Sequence, residues 1–428
     1  MSSPNIMYRF NHRFPFPRES YRCKSSKFSL RRRQFLHLTS LFSTSLGMTL
    51  AMGGCENSPR VKNYYQSTTD DPPVRVGYLP ITDAAPLLVA YDQGFYRAEG
   101  LEAEHPQKYH SWDAIVQAFM KREVNVIHVL MPTSIWIRYG YQFPGKIVAW
   151  NHTNGSALTV LPEIDKPEDL GGRKIAVPSW YSIHNVIVQM LLRQHGLNII
   201  TQPKNTNLPV SDDEVHLVVL PPRDMLSALS AGEIAGYIVA EPYNSAAEEG
   251  NIGKILRLTG DIWQDHACCV VFIHEEDLTQ RREWTQKVVN AIVKSQQWSK
   301  NNRPELAYLL SLDGSKYLPY SLPVLERVLT YYDNDFYYRN QAIIHPEWRS
   351  QRIDFQPYPF PSYTSQLVRE LQQTLIEDQL DFFTHLNPEE VAQDLVDDSF
   401  VIQALAQVGG PQAFGLSLDL LRQESILL

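Results

Sequence analysis

Cysteine is scarce: the 428 residues contain four, Cys23, Cys55, Cys268 and Cys269. That number excludes a disulfide framework, and the neighbours Cys268 and Cys269 make a poor disulfide pair. Long hydrophobic runs are also missing. The segment from Phe35 to Met52 is broken by Ser, Thr and Gly, and it falls short of the ~20 strongly apolar residues of a bilayer-spanning helix. The common enzyme signatures do not occur: there is no G-x-G-x-x-G after a strand, Walker loop, H-E-x-x-H, G-x-S-x-G or C-x-x-C. Histidines and carboxylates are present but not at ligand spacing, so neither a metal site nor a cofactor is expected. Basic charge is in deficit as well. Without residues 1–54 the chain has 30 basic against 46 acidic residues, a net of −16, which argues against a nucleic-acid partner.

What is present begins with an address. "SLRRRQFLHLTS" carries adjacent arginines from Arg31 to Arg33, followed by a weakly apolar segment and the small-residue exit "AMGGCENS". This reads as a twin-arginine export signal over 1–54, with Cys55 as the lipidation residue; the alternative is an ordinary cleavage with Cys55 incidental. The chain is thus expected in the periplasm, anchored to the outer face of the inner membrane by its lipid. Residues 55–73 are polar and read as a flexible tether.

The remaining length exceeds one compact core and suggests two lobes. From Val74, short strand-like runs such as "VRVGYLP" alternate with amphipathic helical segments, which argues an α/β class. "DAIVQAFMKREVNVIHVLMP" (113–132) and "DMLSALSAGEIAGYIVAEP" (224–242) share one plan: Asp, an amphipathic helix, a break, and an apolar strand ending in Pro. The expected division is 74–165 for the first part of lobe I and 166–262 for lobe II. Residues 263–428 then return to lobe I and add a mostly helical extension packed on it. Between those helices, "YYDNDFYYRN" and "DFQPYPFPSY" read as aromatic loops.

Several residues qualify for a site. Ile183, Val186, Ile187, Met190 and Leu191 recur at helical spacing, with Ser182 as a plausible N-cap and His184 in the first turn. A helix start favours an anion, and His184 would add a donor there; the alternative is a packed or solvated histidine. His152, Thr153, Asn154 and Ser156 surround an Asn-Gly turn and either line a cleft or serve the turn itself. Trp112 either closes over a ligand or packs, and Glu241 is either a hinge carboxylate or solvated. Gln264 and His266 in "GDIWQDHACC" are not decisive alone.

"VRVGYLPITDAAPLLVAYDQGFYRAEGL", "HTNGSALTV", "LGGRKIAVP", "PPRDMLSALSAGEIAGYIVAEPYN" and "DIWQDH" occur in an order that resembles the periplasmic binding components of ABC importers. The resemblance is to the nitrate-, bicarbonate-, sulfonate- and taurine-binding group. It implies a type II, two-lobed α/β fold that closes on a small solute and hands it to a permease and its ATPase. It implies a monomeric binding protein rather than an enzyme. The ligand residues it carries over are Trp112, His184 and Gly236; Thr153, Asn154 and Glu241 join them as candidates from the reading of the turn and the strand end. Ser156 and Gln264 depart from the pattern, standing where nitrate binders have a glutamine and a lysine. That widens the expected ligand to a small anion, whether nitrate, nitrite, bicarbonate, cyanate or a sulfonate. The competing implication is a binder of a thiamin-pyrimidine precursor or other small polar molecule, or an enzyme like the thiamin-pyrimidine synthases. Against the enzyme, "ACCVV" holds only two cysteines.

Overall fold

The computed structural model describes residues 71–202, 210–331, 333–345, 348, 351–377 and 381–428. The export signal, most of the tether and Cys55 lie outside the described residues. Along the chain the strands are β1 (Val76–Tyr78), β2 (Gln107–Lys108), β3 (Val126–Leu130), β4 (Gly145–Trp150), β5 (Thr153–Asn154), β6 (Ser156–Val160) and β7 (Lys174–Val177). They continue with β8 (Asn198–Ile200), β9 (Glu214–Val219), β10 (Gly236–Ala240), β11 (Lys254–Leu258), β12 (Cys269–His274) and β13 (Ile353–Asp354).

Two mixed sheets result. One has the order β2-β1-β3-β12-β4 and the other β11-β6-β10-β7-β9-β8. Strands β3 ("VIHVL") and β10 ("GYIVA") are buried at every position, as strands covered by helices on both faces must be. Each follows a nine-residue amphipathic helix, Trp112–Met120 or Pro222–Ser230. Each also lies between a parallel and an antiparallel neighbour, β1 and β12 in one sheet, β7 and β6 in the other. The two stretches of similar sequence therefore occupy equivalent places in the two sheets.

The chain passes between the sheets twice, at 151–155 and 259–268. Strand β6 pairs with β10 and β11, with Ser156 opposite Ala240. Residues 156–160 thus belong to the second sheet, and the first passage comes earlier than the division expected at 165. An apolar run announces a strand, but its hydrogen-bond partners alone say which sheet it joins.

The C-terminal region departs from expectation in two ways. It does pack on the first sheet's helices, the long helix Arg282–Asn301 lying against Ala85–Asp92 and Ser399–Gln407. It also reaches the second lobe, where helix Leu322–Leu329 packs on Tyr243–Glu249. Gln189 Nε2 donates to the Leu375 carbonyl and Gln189 Oε1 accepts from the Leu375 N–H, both at 2.8 Å. Helix Ile183–Gln194 is consequently buried almost all round rather than on one face. Secondly, part of "YYDNDFYYRN" forms a short helix, Asn334–Arg339, because Asp333 accepts the Phe336 N–H and caps it. Among the described residues no helix is long and apolar enough to cross a membrane.

Candidate functional site

The two passages between the sheets run beside each other, and most buried polar side chains of interest lie there. The Asn154 N–H donates to the His266 carbonyl (2.9 Å), and Thr153 forms an antiparallel bridge with Ala267. Asn154 and Gly155 both have positive φ, +57° and +80°, which the Asn-Gly pair accommodates at little strain. The turn is held by Gly155 N–H on the Arg352 carbonyl (2.8 Å) and by the Glu241 N–H on the Gly155 carbonyl (2.9 Å).

From the second sheet comes His184. The Ser182 hydroxyl accepts the Asn185 N–H (3.1 Å) and starts helix Ile183–Gln194. His184 follows the cap and is buried, its Nε2 lying 2.9 Å from Ser156 Oγ and 3.8 Å from Cys268 Sγ. From the first sheet come Asp83, in the turn Thr82–Ala84, and the thiols of Cys268 and Cys269. Their sulfurs lie 3.4 and 3.3 Å from Asp83 Oδ2, Cys269 as the donor. His152 Nε2, on the first passage, is 2.9 Å from the same oxygen. Adjacent residues of a strand face opposite ways, but Cys268 precedes β12 and Cys269 opens it, which lets both reach Asp83.

The electrostatics follow from this packing. Burial raises the Asp83 pKa, the His152 imidazole acting against it, to about 6. Burial lowers His152, but the Asp83 carboxylate outweighs that and brings it to about 10. The two form an ion pair at neutral pH. Burial pushes the Cys268 thiol up; the Cys269 thiol and the imidazoles of His184 and His152 overcome this and hold it well below the usual thiol range. Cys269 is raised, by burial first and then by Cys268 and Asp83. Burial keeps His128 and His266 neutral, each with a pKa of about 3, and neutral His128 accepts the Leu79 N–H (2.9 Å).

The site has an excess of unmet polar atoms. Among the described residues, Asp83 Oδ1, Trp112 Nε1, Thr153 Oγ1, His184 Nδ1 and both ring nitrogens of His152 and of His266 are buried and have no hydrogen-bond partner. Each such group costs about 1–3 kcal/mol unless something arrives to satisfy it.

Of the residues singled out in the sequence, Ser156 and His184 touch, and Thr153 and Asn154 lie on the adjoining passage. Trp112 opens its helix, buried edge-on to His128 with ring centroids 5.5 Å apart. Three residues take no part in the His184–Ser156 contact. Gly236 begins β10 opposite Val160, at the other end of the β6–β10 pairing from Ser156. A Cβ there would sit 2.8 Å from the Thr159 carbonyl oxygen, so strand packing accounts for the glycine. The Glu241 carboxylate is taken up by Arg352 Nε (2.7 Å) and the Ser245 N–H (3.1 Å). Gln264 is half-buried, and its N–H donates to the Ser425 carbonyl (2.9 Å), which ties this turn to the C-terminal tail. The sequence reading missed Asp83 and the joint placement of Cys268 and Cys269. The available signal was two thiols at the head of an apolar run, where a fully buried strand begins.

Two α/β sheets joined by two passages, with a buried polar site where those passages meet, define the two-lobed fold of the periplasmic binding proteins. The periplasmic nitrate-binding protein of Synechocystis PCC 6803 superposes with a TM-score of 0.63 at 18% identity, covering 83% of this chain and 93% of that one. The aliphatic sulphonate-binding protein of Escherichia coli gives 0.53 at 14% identity, covering 77% and 100%. The profile of the NMT1-like family matches residues 67–311, and the chain belongs to that family. The nitrate import ATP-binding protein of Synechocystis is 31% identical over 225 residues, 50% of this chain and 32% of that protein. The nitrate/nitrite binding protein of Nostoc PCC 7120 is 24% identical over 260 residues, 55% and 56% of the two. The chain thus spans about a third of the first of these relatives and just over half of the second.

Proposed function

We propose that this chain is the solute-binding component of an ABC import system, capturing a small anion between its two lobes for delivery to a membrane permease. The observation that carries the reading is the His184–Ser156 contact together with buried atoms that have no hydrogen-bond partner among the described residues, His184 Nδ1 and Thr153 Oγ1. His184 belongs to the second lobe and Asp83 and Cys268 to the first, so only a closed arrangement brings them together. Further contacts span the lobes: Thr133 Oγ1 donates to the Tyr181 carbonyl (2.7 Å), and the Thr82 N–H donates to the Glu241 carbonyl (3.0 Å). Nitrate, nitrite and bicarbonate in the names of relatives support the anion class. Periplasmic location, a lipid anchor at Cys55 and a monomeric state complete the proposal, and the chemistry is binding rather than catalysis.

The test is a thermal-shift screen of nitrate, nitrite, bicarbonate, cyanate and alkanesulfonates, followed by calorimetry on the hits. His184→Ala is expected to weaken the best anion by about 1.5–3 kcal/mol, the value of a charge-assisted hydrogen bond. Unchanged affinity in that variant, or no anion binding by the native chain, would overturn the reading.

A further inference from the structure

We infer that Asp83, His152, Cys268 and Cys269 form a binding site for a thiophilic divalent metal ion of the zinc class. One ligand atom from each lies within 4.8 Å of all the others, and the four residues are fully buried. Asp83 Oδ2 is 2.9 Å from His152 Nε2 and 3.4 and 3.3 Å from the two sulfurs. A tetrahedral ion with bonds of about 2.3 Å to sulfur and about 2.0–2.2 Å to nitrogen and oxygen needs its donors roughly 3.3–3.8 Å apart. Side-chain shifts of about 1 Å therefore convert this cluster into a coordination shell.

The donor types select the ion. Two thiolates and an imidazole suit zinc and its soft analogues, whereas magnesium and calcium take oxygen ligands. A second observation points the same way: among the described residues, both ring nitrogens of His152, the ligand atom Nε2 included, and Asp83 Oδ1 are buried with no hydrogen-bond partner. A closed hydrogen-bonded knot would leave no such atoms. Binding forms two metal–sulfur bonds, one bond to His152 Nε2 and one to an Asp83 oxygen, and the protons carried by the thiols and by His152 Nε2 leave to solvent.

The placement has a consequence for the cleft. Asp83 and Cys269, which opens β12, come from the first lobe, His152 from one passage and Cys268 from the end of the other, so the ion would pin both passages where they run together. Cys268 Sγ is 3.8 Å from His184 Nε2, so the ion would lie next to the proposed anion position. The inference stands on the four donors and does not require the transport reading.

Reduced, chelator-treated mature protein, titrated with Co²⁺ and then Zn²⁺, provides the test. The expected result is equimolar uptake with a near-ultraviolet thiolate-to-cobalt charge-transfer band and intense visible bands of four-coordinate cobalt, both bleached by Zn²⁺. Zinc should also raise the thermal midpoint and protect both thiols from alkylation. Cys268→Ser and Cys269→Ser should each weaken cobalt binding at least tenfold and diminish the charge-transfer band, with circular dichroism confirming the fold. Absence of the sulfur band in the reduced native chain would overturn the site, as would undiminished binding in Cys269→Ser. So would an intact mass two hydrogens low, showing a Cys268–Cys269 disulfide in the protein as purified. Anion binding without metal binding sinks this inference and leaves the transport reading; the reverse result does the opposite.

Discussion

The carboxylate of Glu241 lies at the end of a central strand, where a ligand-binding group would be expected, yet the structure gives it a mechanical task. Its Oε1 accepts from Arg352 Nε at 2.7 Å, and its Oε2 accepts the Ser245 N–H at 3.1 Å. Arg352 is 1% exposed and has one further carboxylate, Glu248, at 3.0 Å. Glu241→Ala strands the guanidinium with half its counter-charge and uncaps the Ser245 N–H. Breaking a buried pair costs about 3–5 kcal/mol and losing a capping acceptor about 1 kcal/mol; with Glu248 still in place, we expect about 4 kcal/mol in total. Glu241→Gln keeps an acceptor and should lose about 1.5–3 kcal/mol. Urea unfolding measures both, as a lower midpoint at unchanged slope. Glu241→Gln combined with Arg352→Met should recover part of the loss, since the unpaired charge is gone. The reasoning fails if Glu241→Gln is within about 0.5 kcal/mol of the native chain while anion affinity disappears. That outcome would make Glu241 a ligand group.

Gly236→Ala should destabilise by about 1–3 kcal/mol through contact with the Thr159 carbonyl and leave anion affinity unchanged; selective loss of affinity would return Gly236 to the site. Trp112→Phe keeps the ring beside His128 but removes the unpartnered Nε1–H, so anion affinity should fall about fivefold to tenfold. Calorimetry showing no change would leave Trp112 as packing alone. His274 is buried, stacked on Phe119 with ring centroids 3.9 Å apart. Burial, aided by the Arg122 charge, lowers its pKa to about 4. A base whose pKa is lowered on folding stabilises above its unfolded value near 6.5 and loses that contribution as pH falls through about 4. Urea melts should therefore show about 2.5 kcal/mol less acid destabilisation at about pH 4.5 for His274→Phe than for the native chain; equal acid sensitivity would refute the assignment.

Much of the frame is legible in the chain because it depends on near neighbours. The stripe from Ile183 to Leu191 and the Ser182 cap lie within one helix, and the structure has both. The paired helix–strand units were visible as similar stretches because each one folds from about twenty consecutive residues. The all-round burial of helix Ile183–Gln194 was not visible. It depends on Leu375, which reaches Gln189 from far along the chain. The same holds for Glu241: the sequence shows a carboxylate after an apolar strand, and only the fold brings Arg352 to it.

Residue type and local periodicity by themselves determined that the chain is α/β, that it has two similar units, and that Ser182 starts a helix bearing His184. These follow from backbone hydrogen bonding and side-chain alternation over a few residues. Which sheet β6 joins, and whether a polar residue meets a ligand or a neighbour, was decided by tertiary structure. Asp83, His152 and the pair Cys268–Cys269 meet at one point although no spacing between them announces it. Their proximity comes from two strand-to-strand passages pairing side by side, a contact paid for by the packing of both sheets and encoded in no short stretch.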